Sequence, residues 1–189
     1  MNDHTSYVGQ LLIAMPTLTD PEFSHSVTLI CEHSITQGAL GVIINHPISM
    51  TVEDLINNAN IAMPEEYTND TCVHAGGPVS TNRGFILHDS PAQRWPSTIP
   101  ISDSLALTSC NDILLDISHG RGPENSRVMI GYAGWSPGQL EAEIADNFWL
   151  TVTAPNSFIF DTPSQTQWLL AGELLGIDLN LLNSDAGHA

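Results

Sequence analysis

The chain has 189 residues, enough for one sizeable core and within the usual range of a single domain. Its 21 acidic residues face four arginines (Arg83, Arg94, Arg121 and Arg127) and no lysine, a formal net charge of −17. A duplex-DNA binder needs a cationic face that these four cannot supply, and the same field repels anionic membrane surfaces while favouring solubility or a basic protein partner.

No apolar run approaches the ~20 residues needed to span a bilayer. The N-terminal stretch "MNDHTSYVGQLLIAMP" lacks the basic region of a signal peptide, so a cytoplasmic location is expected. Cys31, Cys72 and Cys110 are odd in number and widely spaced, which reads as free, buried thiols.

In chain order, "GQLLIAM" (9–15) predicts a buried strand, bounded by Gly and Pro. "SVTLICEH" (26–33) and "ALGVIINHP" (39–47) are β-branched runs joined by "SITQG", the pattern of a hairpin whose glycines at 38 and 41 tighten the turn and bend the backbone. After Pro47 the pattern turns helical. Thr51 is a good N-cap with Asp54 three residues on, Met50 and Leu55 have staple spacing, and the helix is expected to end near Asn58. "CVHAGGPV" and "RGFILHD" read as strands around a Gly-Gly-Pro turn, and "SLALTS" as a further strand. Ser109 then caps a helix with Ile113, Leu114 and Ile117 on one face, and "HGRGPENS" is loop.

The last third repeats one device. Ser136-Pro137-Gly138-Gln139 and Thr162-Pro163-Ser164-Gln165 each place a hydroxyl, a proline and a glutamine where a capped helix start wants them. The first helix should run to about Asn147, with Leu140 and Ile144 inward and Glu141, Glu143 and Asp146 mainly outward. The second carries Trp168, Leu169 and Leu175 and ends at Gly176. "RVMIGYAGW" and "FWLTVTA" are strands. Without the regular βαβ rhythm of a doubly wound fold, this alternation predicts one α+β domain over 1–189, its core at about 9–178 and its termini loose. A large, mixed, strongly curved sheet carries short helices packed outside.

Over nearly its full length the sequence resembles the AlgH/YqgE family of bacterial proteins. The stretches that carry the resemblance are "GQLLIAMP", "FSHSVTLICEH", "GALGVIINHP", "HAGGPV", "RGFILH", "GYAGWSPGQLEAEIADNFWL" and "LLGID". Ser136 stands where the family more often has glycine. The resemblance implies a cytoplasmic protein whose mixed sheet folds over itself in a barrel-like way with helices outside. It also implies the label of transcriptional regulator, without a catalytic residue set.

Candidate sites follow from residue types. Gly76 and Gly77 can form an amide nest, Arg83 can add a fork of donors and His74 lies at the rim, a set suited to a phosphate or carboxylate on a small anionic ligand. Asn45, His46 and Trp135 extend this set, and the alternative of a small-molecule or nucleotide-binding enzyme, a hydrolase or redox enzyme, would use the Gly76-Gly77 turn, Arg83 and the strand-end histidines. The plainer reading of the glycines is a tight turn. His33, His46, His74 and His88 could meet Glu32 around a metal, but no H-x-H or H-E-x-x-H spacing is present, so neither metal nor cofactor is implied. Cys31 and His33 would share a face of a regular strand, which could place a thiol beside an imidazole, but the plainer reading is a core cysteine next to a strand-end histidine. Glu141 and Glu143 suit the N-terminal half of their helix, and Trp135 and Trp149 suit a core or the frame of a ligand groove.

Overall fold

The computed structural model describes residues 6–89 and 94–182; of the termini expected to be loose, 1–5 and 183–189 lie outside them, whereas Leu179 is buried in the central core. The chain runs β1 (Leu11–Ala14), β2 (Val27–Ser34), β3 (Gly38–Ile43), β4 (Pro47–Thr51), α1 (Val52–Asn58), β5 (Cys72–Ala75), β6 (Val79–His88), β7 (Thr98–Ser102) and β8 (Leu105–Thr108). It continues through α2 (Asn111–Ser118), β9 (Ser126–Trp135), α3 (Gln139–Ala145), β10 (Trp149–Val152), α4 (Asn156–Asp161), α5 (Ser164–Glu173) and a 3-10 turn, Leu179–Leu182. The strands form one sheet in the order β10-β1-β2-β3-β9-β6-β8-β7, with β4 on β5 and β5 on β9. Only β5 and β9 pair in parallel among the described residues, which makes this α+β fold's sheet mixed.

The sheet curls without closing. Ile101 of β7, at one end of the strand order, joins Leu11, Ile13 and Leu29 of β1 and β2 in a central core covered by Phe158 and Ile159 of α4 and Trp168 of α5. Two smaller cores lie on the outer faces. Val52 and Ile56 of α1 and Ile113 and Leu114 of α2 pack on Val73, Ile86 and Val128, while Leu140 of α3 packs on Leu12, Ile30, Ala133, Trp135 and Trp149. A strand between two cores must be apolar on both faces, and Leu11, Leu12, Ile13 and Ala14 are all fully buried.

Local chemistry sets several elements as expected. β2 and β3 form the antiparallel hairpin, and Thr51 and Asp54 make a reciprocal capping box at α1. The α5 end is a Schellman arrangement, with Gly176 at φ 71°, its amide on the Glu173 carbonyl and the Ile177 amide on the Gly172 carbonyl.

Other expectations are corrected. Ser136 to Gln139 is a type II turn rather than a helix start: the Gln139 amide donates to the Ser136 carbonyl at 3.0 Å and Gly138 sits at φ 75°, ψ −6°. The helix therefore begins at Gln139. The Thr162 hydroxyl caps nothing, because Thr162 ends α4, a helix whose run "NSFIFD" carries no cap signal. Ser109 receives a hydrogen bond from Arg83 instead of capping α2, whose extended N-cap is Cys110. Strands β4 and β7 also form where none was expected, each beginning or broken by proline at a sheet margin.

The Gly-Gly-Pro segment is not a hairpin turn. β5 and β6 pair with β9 rather than with each other, so residues 76–78 carry the chain across β9. Backbone meets backbone at the crossing: a Cβ on Gly76 would lie 2.4 Å from the Gly131 carbonyl oxygen, and one on Gly77 2.3 Å from the Tyr132 carbonyl carbon. Close approach is what these glycines provide.

Candidate functional site

The β2–β3 hairpin carries a bulge at Cys31, since Ile30 pairs with Gly41 and Glu32 with Leu40. One extra residue reverses the alternation of side chains beyond it. Cys31 therefore lies in the central core, while His33 turns to the other face and meets Glu141 of α3, Nε2 to Oε1 at 2.8 Å. The thiol–imidazole pair that a regular strand would allow is not formed, and Cys31 is the core cysteine of the plainer reading. Burial, with the neighbouring Glu32 carboxylate adding to it, pushes the Cys31 thiol up and keeps it protonated. His33 Nδ1 accepts the Tyr7 amide at 3.4 Å, so with Nε2 on Glu141 neither ring nitrogen is left to act as a base. Burial works to raise Glu141, but its own backbone amide and His33 outweigh this and hold its carboxyl below the usual range.

Where the sheet fails to close, the central core opens into a groove of about 890 Å³. Val8, Leu40, Ile99 and Tyr132 form its apolar walls, and Glu32, Leu40 and Gly134 lie in one cross-strand row along β2, β3 and β9. Trp135 stands at the margin with its ring almost wholly buried. No arginine lines the groove. Arg94 and Arg121 pair with Asp116, Arg83 donates to the Ser109 hydroxyl, and Arg127 is buried.

The sequence candidates are dispersed. The Gly76 amide donates to the Ile130 carbonyl at 2.7 Å and is not free for an anion, and Arg83 lies over the Phe85 ring at 5.5 Å. Asn45 is a buried tether: its Oδ1 accepts the Val27 amide at 2.7 Å and its Nδ2 donates to the His25 carbonyl at 2.9 Å. His46 is half-buried near Glu22 and His25, and burial lowers its pKa. His88 is buried against Trp95, with Nε2 2.8 Å from the Thr108 hydroxyl. Among the described residues no group of three or more His, Cys, Asp or Glu side chains is placed to hold a metal ion.

His74 and Arg127 do meet, but inside the fold. His74 Nε2 lies 3.0 Å from the Ser164 hydroxyl at the start of α5. The Arg127 guanidinium donates to the Ile44 carbonyl, to Gln167 Oε1 at 3.1 Å and to the Phe160 carbonyl at 3.5 Å. Burial and then the Arg127 charge lower His74 to about 4. The unfolded chain binds a proton below about pH 6.5 and the folded chain holds off until about 4. Stability is thus full above pH 6.5 and falls as the pH drops towards 4, by on the order of 2–3 kcal/mol. His74→Gln should flatten this slope in melts between about pH 7 and 4.5. An unchanged slope would remove His74 as its source.

Sequence reasoning missed one further constellation. Glu143 Oε2 accepts the indole N–H of both Trp135 and Trp149 at 2.8 Å, and Oε1 accepts from Gln139 Nε2 at 2.8 Å. Glu143 is therefore turned inward, correcting the outward assignment. The available signal was its place three residues after Leu140 and one before Ile144, on the border of the buried face.

The AlgH-like family (DUF179) matches residues 11–180. A UPF0301 protein of Thioalkalivibrio sulfidiphilus is 45% identical with each chain covered in full, and a UPF0301 protein of Chromobacterium violaceum is 46% identical over 94% of this chain and 95% of its own. The solution structure of AlgH from Pseudomonas aeruginosa superposes with a TM-score of 0.79 at 40% identity, covering 100% of this chain and 99% of that one. A crystal structure of a Corynebacterium diphtheriae protein shares the fold, with a TM-score of 0.74 at 21% identity over 96% and 94% of the two chains. The chain belongs to the AlgH-like, UPF0301 family.

Proposed function

We propose that the protein is a non-catalytic binding module, a regulator that works through protein contacts rather than by holding DNA, and that the groove at the open end of the sheet is its recognition surface. The observation that carries this reading is the groove itself: half-buried apolar walls around a single free carboxylate, in a concavity near the upper end of the usual range of ligand sites. Its neighbouring imidazole is committed to two hydrogen bonds, and its cysteine is a core thiol. The charge of −17 and the absence of lysine argue against phosphate-backbone contact, even where the family's regulator label suggests it.

Gly134 offers a direct test. It lines the groove, and a Cβ there meets only the Tyr132 ring edge, at 3.4 Å. Gly134→Trp should fill the groove and leave the melting temperature within about 3 °C of wild type. Tagged protein cross-linked in cells should then lose a partner that the wild type retains. Equal recovery by both proteins would refute the reading, as would a promoter fragment shifted at about 150 mM salt with a steep salt slope.

A further inference from the structure

We infer that the occupant of this groove is a basic, extended segment of a partner protein, selected by Glu32. This rests on the reading of the groove as the recognition surface. Glu32 and its cross-strand neighbours Leu40 and Gly134 face the same opening as Tyr132, with Ile99 on the opposite wall. Glu32 is exposed and makes no hydrogen bond or ion pair among the described residues. A chain laid along the groove would cover Glu32 together with its half-buried neighbour Leu40, and a carboxylate so covered gains more from a cation on that chain than one left in open water.

No arginine lines the groove and the chain has no lysine, so the cation must come from the partner. A phosphate or carboxylate ligand would meet Glu32 with like charge and no compensating donor fork. A second copy of this chain brings the same net charge of −17 and is repelled on approach. The walls are three neighbouring strands with β7 opposite, a trough whose side chains alternate at strand spacing. An extended chain with aliphatic residues alternating with arginine or lysine matches that spacing, its aliphatic side chains on Leu40 and Ile99 and its cation on Glu32.

The test uses the full chain and three labelled short peptides, alternating valine with arginine, with threonine or with glutamate. Binding is read by fluorescence anisotropy at about 150 mM salt and located by amide exchange over residues 32–40. The valine–arginine peptide should bind and protect those amides, and the glutamate peptide should not. Glu32→Lys should weaken binding at least about tenfold, whereas Glu66→Lys, the same charge change in the α1–β5 loop, should weaken it by less than about threefold. Equal losses in the two variants would mean that the overall field attracts the peptide, overturning the selection by Glu32. Equal protection by the arginine and threonine peptides would overturn the charge preference and leave the groove reading standing. If no peptide protects residues 32–40, both fall.

Discussion

Glu143→Ala is expected to destabilise the protein by about 2–4 kcal/mol, lowering the melting temperature by roughly 5–15 °C. One carboxylate oxygen accepts two indole N–H groups at 2.8 Å, from Trp135 at the end of β9 and Trp149 at the start of β10. Both tryptophans are buried, so removing the acceptor leaves two donors without water to replace it. The other oxygen holds Gln139, whose own Oε1 accepts the Ser136 amide and so fixes the type II turn. Glutamine at 143 keeps one acceptor for the indoles but presents an amide to Gln139, and should cost about 1 kcal/mol. Tryptophan emission should change in both variants, and more in the alanine one. A loss below about 0.5 kcal/mol for the alanine variant would show that the indoles find other partners.

This triad explains why the stretch from Gly131 to Trp149 is so heavily specified. Gly131 takes positive φ where residues 76–78 cross, Gly138 takes positive φ in the turn, and Glu143 ties two strand ends to α3. The stretch is the corner that fixes β9 against β10 across β1, β2 and β3.

What was legible in the sequence was local. The β2–β3 hairpin, the Thr51 capping box and the Gly176 cap are each set by residues within a few positions, and sequence reading found them. Pro137-Gly138 was also local but ambiguous: proline suits both a helix start and the second position of a type II turn, and positive φ at Gly138 decides for the turn. The groove was not legible. It depends on a bulge at Cys31 that no residue type announces, and on Leu40, Ile99 and Tyr132 arriving from strands far apart in the chain. Among the candidate residues, Trp135 reaches the groove margin and His74, Gly76, Gly77, Arg83, Asn45 and His46 serve the frame or lie elsewhere. Polar residues in strand-forming motifs looked like a ligand set because a curled sheet between three cores must bury some of its own polar groups, and it bonds them to backbone and helix ends.

Arg127→Ala is the second change expected to have a large effect, about 2–4 kcal/mol, or roughly 5–15 °C. Arg127 lies two residues before Met129 on the strand face turned towards α4 and α5, and no carboxylate pairs with it among the described residues. Its guanidinium gathers the Ile44 carbonyl from beyond β3, the Phe160 carbonyl of α4 and Gln167 of α5. Gln167 in turn donates to the Phe158 carbonyl at 2.9 Å, so one buried cation orders both helices over the central core. Burial lowers its pKa to about 10, which leaves it charged at neutral pH. Alanine removes the donors and opens a cavity. Methionine keeps much of the volume and ends the cost of burying a charge, so Arg127→Met should fall between alanine and wild type. Burial still depresses His74 in either variant, but the repulsion from the Arg127 charge is gone, so its pKa should rise from about 4 part of the way towards 6.5, which narrows the acid-sensitive window from its low-pH end and reduces the stability lost within it. Histidine titration by NMR in the methionine variant reads that shift directly. An unmoved His74 would leave burial as the cause of its low pKa, and an alanine variant melting within about 2 °C of wild type would mean that α4 and α5 are held by apolar packing alone.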